Sequence, residues 1–266
     1  MHLAPARLAF LLVFILPSAA LAAGGRTAPA VPPAWDITLG AGAYLGPTFE
    51  GSDRYQVKPL PLLGVTWRDT ISLGDGGLSA YWHHRNFRIG GGLTFDPGRK
   101  DHASGGIFES GDDRLKGLGT IKAALGLRAF ASYRLGPGNF EFSATKFTGG
   151  RNDGVVVGFG ASIALPLTRK LTLMPHIRAS WANGDYTQTY FGVTEVQAAA
   201  SRFSPFDAGA GFKDVRGGVN LIWRFNNHWY AGLDASAVRL LGDAAKSPIS
   251  FSDTGTTVTS LLGYRF

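Results

Sequence analysis

The chain has no cysteine among its 266 residues. It can therefore form no disulfide and offers no thiolate, although its leader directs it into an oxidising compartment. Long apolar runs are also missing. After Leu8–Leu16 nothing approaches the ~20 unbroken apolar residues that a membrane-crossing helix requires, which excludes a helical inner-membrane protein. Runs of like charge are absent too. The basic residues are spread along the chain and not clustered, so nucleic acid is not an expected partner. Catalytic signatures are lacking: there is no G-x-S-x-G, no H-E-x-x-H and no P-loop.

What is present begins with an export signal. Arg7 precedes Leu8–Leu16, then Pro17, Ser18 and the small-x-small site Ala20-Leu21-Ala22, so residues 1–22 read as a signal peptide. Residues 23–34, rich in Gly, Pro and Ala, read as a linker, and 35–266 as one large all-β domain. Without Arg7 the 26 basic residues become 25 against 19 acidic, a formal +6. An anionic surface such as lipopolysaccharide is the expected partner for that charge.

The domain alternates with period two. Apolar positions share one face in 35–45, 87–96, 121–134, 155–167, 171–181, 215–225 and 229–237, with weaker candidates at 57–67, 70–82 and 139–147. The last stretch puts Val258, Leu262, Tyr264 and Phe266 on one face and Thr257, Thr259, Gly263 and Arg265 on the other. Runs of about 9–14 residues suit tilted membrane strands better than soluble ones. The non-apolar face carries Gly, Ser, Thr and scattered Arg, as a crowded barrel lumen requires, not the Lys and Glu of a soluble outer face. Trp35, Trp67, Trp82, Trp181, Trp223 and Trp229 all fall near strand ends, where an indole keeps its rings in lipid and its N–H wet.

These features predict a single-chain transmembrane antiparallel β-barrel in the outer membrane of a Gram-negative bacterium. Short connections at 68–69, 136–138, 152–154, 168–170 and 226–227 have turn chemistry, and 46–55, 97–118, 184–213 and 239–255 are long loops. Eleven candidate strands conflict with the even number such barrels use. The conflict lies in 56–82: Pro59 and Pro61 both lack an N–H toward one neighbour, and Gly74-Asp75-Gly76-Gly77 can split 70–82 in two. Twelve strands are expected, with ten as the alternative. Thr194 followed by Glu195–Ala200 predicts a short capped helix, and Asp243–Ser247, stopped by Pro248, another helical turn.

On these registers Arg88, Lys122, Arg128, Arg134, His176, Arg178, Arg216, Arg224, Asp234 and Arg265 line the lumen, with Asp36 and Glu141 as further acids. Leu262, Tyr264 and Phe266 form the expected assembly signal for the barrel-assembly machinery. A Ser–His pair of Ser180 and His176 would be the one enzymatic candidate. His83 and His84 are adjacent on a strand, so they point apart and make no metal site. No cofactor is expected and no enzymatic activity.

Four motifs occur in order: Tyr44…Gly46…Glu50-Gly51-Ser52-Asp53-x-Tyr55…Pro59-Leu60-Pro61, Tyr190-Phe191-Gly192-Val193-Thr194…Gln197-Ala198…Ser201, Leu241-x-Asp243-Ala244-Ala245-x-Ser247-Pro248-Ile249, and the terminal Gly263-Tyr264-Arg265-Phe266. Together they resemble the MipA/OmpV family of outer-membrane proteins. That resemblance implies an outer-membrane barrel, and a role as a scaffold joining murein hydrolase and murein synthase. Some members are surface antigens or small-solute pores, so a narrow, anion-leaning pore is the second expectation.

Overall fold

The computed structural model describes residues 34–74, 76–103, 109–149 and 153–266. The expected signal peptide and most of the linker lie outside the described residues.

Thirteen strand segments form one antiparallel sheet. They are β1 (Trp35–Pro47), β2 (Tyr55–Trp67), β3 (Ile71–Gly74), β4 (Gly77–His84), β5 (Phe87–Asp96), β6 (Ala124–Leu135) and β7 (Gly138–Thr148). Then follow β8 (Val155–Ile163), β9 (Leu165–Pro166), β10 (Leu171–Ala182), β11 (Gly211–Arg224), β12 (Trp229–Leu240) and β13 (Thr254–Arg265). β8 and β9 are one strand broken at Ala164, since both pair with β10. The wall therefore has twelve strands, and the twelve-strand expectation holds over the ten-strand one. The parity conflict resolves at the glycine run, which separates β3 from β4. There Gly77 sits at φ +107°, and a Cβ would stand 1.9 Å from the Leu93 carbonyl oxygen, so only glycine fits the turn.

β13 closes the barrel against β1, from Thr38↔Arg265 to Leu45↔Val258. The final N–H, that of Phe266, donates to the Ile37 carbonyl at 2.9 Å. The seam is tight: a Cβ on Gly42 would lie 1.9 Å from the Ser260 carbonyl oxygen. Gly42→Val is expected to stop β1 from docking, measured as loss of the compact, unheated band in a gel heat-modifiability assay.

Along β13, exposed residues alternate strictly with buried ones from Thr254 to Gly263. Leu39, Leu63, Ile89, Leu127, Phe142, Ile177 and Leu233 are likewise exposed on other strands. This outer apolar face meets lipid. Five tryptophans (Trp35, Trp67, Trp82, Trp223, Trp229) collect at the short-turn end, and Trp181 lies at the loop end beside Phe212. They mark the two interfaces of a membrane-spanning band.

The turn end carries the connections 68–70, 85–86, 136–137, 167–170 and 225–228, and the other end carries 48–54, 97–123, 149–154, 183–210 and 241–253. Of the predicted short connection at 152–154, Asn152 lies outside the described residues; Asp153 and Gly154 lead into β8 at the loop end. Helix α1 (Gly184–Phe191), α2 (Glu195–Ala200) and α3 (Gly242–Lys246) stand in the last two long loops. α2 is the predicted capped helix: Thr194 Oγ1 accepts from the Gln197 N–H, and the Gln197 side chain accepts from the Thr194 N–H. α3 is the second predicted turn, ending before Pro248.

Candidate functional site

Two features could carry function: the inner wall and the loop layer over its mouth. On the inner wall, Glu141 of β7 holds Arg128 of β6 at 2.9 Å and faces Arg178 of β10 at 3.7 Å. Gly160 lies between Glu141 and Arg178 in register and leaves room for both. Arg88 stacks its guanidinium 3.5 Å over the Tyr81 ring. Two guanidiniums thus share one carboxylate, while a third, Arg88, lies on an aromatic ring.

A second cluster joins β10 and β12 across Gly218. His176 Nε2 is 3.4 Å from Ser236 Oγ, and His176 Nδ1 is 3.8 Å from Asp234 Oδ2. The Ser236 hydroxyl donates to Asp234 Oδ1 at 2.6 Å. The histidine thus meets Ser236, which alternation puts on the same inward face but does not pair with it, in place of Ser180. Gly218 has no side chain to part the two: a Cβ there would lie 2.4 Å from Ser236 Oγ.

Arg216 and Arg224 point inward on β11 with no carboxylate within ion-pair distance among the described residues. Arg265 pairs with Asp36 across the seam, its Nε donating to Oδ1 at 2.8 Å. Arg134 is exposed at the turn end. Lys122 is exposed too and lies outside the wall, because β6 begins at Ala124. The alternation continues past the strand end there, while Ile121 leaves the sheet to bridge Arg99. Leu62, Tyr230 and Leu261 form a small apolar patch on the lumen side of β2, β12 and β13.

Leu262 is exposed on the outer face, and Tyr264 is packed between aromatic neighbours. The Tyr264 ring lies 4.9 Å from Phe266, 5.1 Å from Trp229 and 5.4 Å from His228. The three residues of the expected assembly signal therefore share one face beside the closing seam.

The mouth is covered by loops that have apolar cores of their own. One core gathers Ile121, Ala182, Tyr186, Tyr190, Phe191, Ala208, Leu240 and Ala244. The other gathers Phe49, Leu115, Leu118, Val193, Phe203 and Ile249, drawn from four different loops. α1 follows β10, yet Tyr190 donates its hydroxyl to Asp96 at the top of β5 at 2.6 Å, four strands away around the wall. That reach is possible only across the mouth. Burial pushes the Tyr190 hydroxyl well above its ordinary range, and Asp96 adds to the shift, so it stays a donor.

Arg99 donates to the Tyr190 carbonyl at 2.7 Å, and its burial lowers its pKa to about 10, still charged at neutral pH. Buried Lys213, at the bulge that opens β11, meets Glu50 of the first loop at 2.6 Å and Asp214 at 2.5 Å. Sequence reasoning missed all of these ties, since each joins residues far apart in the chain. The one available signal was Tyr190-Phe191, two large aromatics inside a loop.

The outer edge of the cover is clamped by charge. Arg114 bonds Asp53 at 2.6 Å and Asp112 at 3.0 Å, and Arg54 bonds Asp112 at 3.2 Å. The bond from Arg114 holds the Asp53 carboxyl below its ordinary value; for Asp112 burial works the other way but is outweighed by Arg114 and Arg54. Both carboxylates have folded values below their unfolded ones, so their contribution is complete above the unfolded value of about 3.9 and is lost as pH falls through the folded value. Limited proteolysis of the loops should be unchanged from pH 7 to pH 5 and accelerate below pH of about 4.

A closed twelve-strand barrel with an apolar outer band between aromatic interfaces and a charged interior defines an outer-membrane β-barrel protein. Residues 39–266 match the family described as MltA-interacting protein MipA, and the chain belongs to that family. Among its relatives is the outer membrane protein Omp26La of Vibrio anguillarum, 28% identical over 211 residues, covering 77% of this chain and 72% of that protein. Another is OmpV of Vibrio cholerae, 28% identical over 152 residues, covering 57% of this chain and 58% of the relative. Among solved structures, OmpT, an outer membrane protein of Vibrio cholerae, aligns with 8% identity and a TM-score of 0.37, covering 87% of this chain and 98% of that one.

Proposed function

We propose that this protein is a structural barrel, closed by its loops at the cell surface, that anchors a murein hydrolase and a murein synthase at the periplasmic face. The observation that carries the reading is the loop layer. A cover built on two apolar cores and bonded to opposite walls serves stability and recognition better than flux. The family's description as an MltA-interacting protein points the same way. The turn end offers the docking chemistry: Arg68, Arg85, Arg134, Arg169 and Lys170 are all exposed there. Crosslinking in cells followed by purification should recover murein enzymes. The triple variant Arg85→Glu, Arg169→Glu, Lys170→Glu should reduce that recovery several-fold while the barrel still assembles. Repeated recovery of no murein enzyme from the unsubstituted protein ends the reading.

A second reading, a narrow anion-leaning pore, is favoured by Arg216 and Arg224, which have no carboxylate partner among the described residues. Rings of such cations select anions where water passes. Planar-bilayer recording decides it, because the absence of any unitary conductance removes a pore.

A further inference from the structure

The wall is discontinuous above the β3–β4 hairpin. β2 pairs with β1 along its whole length, from Trp35↔Trp67 to Pro47↔Tyr55. On its other side only Val65–Trp67 pair, with β3. β3 has four residues, and β4 meets β5 only as far up as Leu78↔Leu93. β2 and β5 do not pair with each other to close the space. Gly74 of β3 still lies against Leu63 and Gly64, so residues 55–62 of β2 present an edge with no strand beside it among the described residues. At about 3.3 Å per residue the edge runs for roughly 25 Å.

Register decides which backbone groups face this gap. The Arg68 N–H bonds to the Ala34 carbonyl on the β1 side, so even-numbered residues of β2 turn their backbone groups to β1 and odd-numbered ones turn away. Tyr55, Val57, Pro59 and Pro61 therefore face the gap. Two of these four are prolines, with no N–H to leave unsatisfied. An edge finished in this way refuses a further strand. The polar groups that remain at membrane depth require water, which an opening into the lumen supplies.

The chemistry of the rim is graded. On the lipid side Val57 is 70% exposed, and Pro59, Pro61 and Leu63 are exposed with it. On the lumen side Leu60 and Leu62 are buried. Beneath the gap, the Arg128 guanidinium lies against Gly76 at the hairpin tip, 3.3 Å from where a Cβ would stand. Arg88 is near enough for its charge to act on Arg128, and its buried Nε has no hydrogen-bond partner. The passage has apolar sides and a cationic inner end, where Arg128 and Arg178 share Glu141 and Arg88 lies over the Tyr81 ring.

We propose that this gap is a lateral passage between the outer leaflet and the lumen that admits an amphipathic carboxylate. Its apolar chain lies along the β2 edge and its head group reaches Arg128 and Arg88. The passage stands independently of the scaffold reading. Two measurements on the full-length barrel in vesicles test it. Bimane is attached at Leu60→Cys or Lys58→Cys beside the gap, at Asn220→Cys on the far inner wall, and at lipid-facing Val57→Cys. With doxyl-labelled phosphatidylcholine, quenching at positions 60 and 58 should be at least threefold that at 220 and approach that at 57. Quenching at both positions no greater than at 220 overturns the passage. Lys58→Cys carries the test should Leu60→Cys fail to assemble. With 5-doxyl-stearate, quenching at 60 should saturate, and the double variant Arg88→Gln, Arg128→Gln should raise the midpoint at least tenfold. Equal midpoints for the acid, its methyl ester and the double variant overturn the carboxylate site.

Discussion

Replacing Phe266 and Tyr264 together with Ser is expected to leave the chain exported but unassembled. The processed protein should accumulate in the periplasm, without the compact gel species of a closed barrel. Two losses combine. Tyr264 is the hub of an aromatic group with Phe266, Trp229 and His228 at the membrane interface, and serine places hydroxyls on a lipid-facing surface there. The same strand closes the barrel, and a closed barrel is what satisfies the backbone groups of both end strands in lipid. Normal assembly of this variant would show that the last strand is not the signal. Leu262→Ser alone, farther from the aromatic group, should have the smaller effect.

Phe191→Ala is expected to loosen the cover while leaving the wall intact. Phe191 is 0% exposed and sits in the loop core beside Tyr186 and Tyr190. Truncating a fully buried phenylalanine costs about 3–5 kcal/mol. Here that cost falls on the loops, because Phe191 belongs to α1 and no wall strand depends on it for pairing. Loop proteolysis should rise at least tenfold while resistance of the strands is unchanged. Bilayer conductance should exceed that of the unsubstituted protein. A variant as protected as its parent would mean that the wall ties at Tyr190–Asp96 and Lys213–Glu50 hold the cover without its core.

The wall was legible in the sequence because its information is local. Alternation in β13, the end placement of the tryptophans and the glycine run at 74–77 each act within a few residues. The capping box of α2 was legible for the same reason. α1 was not: its local signal is the N-cap Asn183, which accepts from the Tyr186 N–H, while its apolar residues Tyr186, Tyr190 and Phe191 are fixed by tertiary contacts. Lys122 shows the opposite error: alternation was carried two residues beyond the start of β6, where Ile121 had already joined the cover. Pro59 and Pro61 were read correctly as facing one neighbour. What sequence could not show is that β2 stays whole through them and that the neighbour is missing. Period two puts His176, Gly218, Asp234 and Ser236 on the inward face, but only the register of three strands brings them together.

The loop cover has an immunological consequence. Phe251 is held between the guanidiniums of Arg114 and Arg202, 3.9 Å and 5.3 Å away, and Arg114 also holds Asp53. Exposed Asp53, Arg54, Lys116, Glu195, Val196 and Arg202, drawn from three separate loops, consequently form one fixed outer surface. An antibody raised on the folded barrel will see a discontinuous epitope made of all three. One raised on any single loop as a peptide will meet its target already folded into another shape.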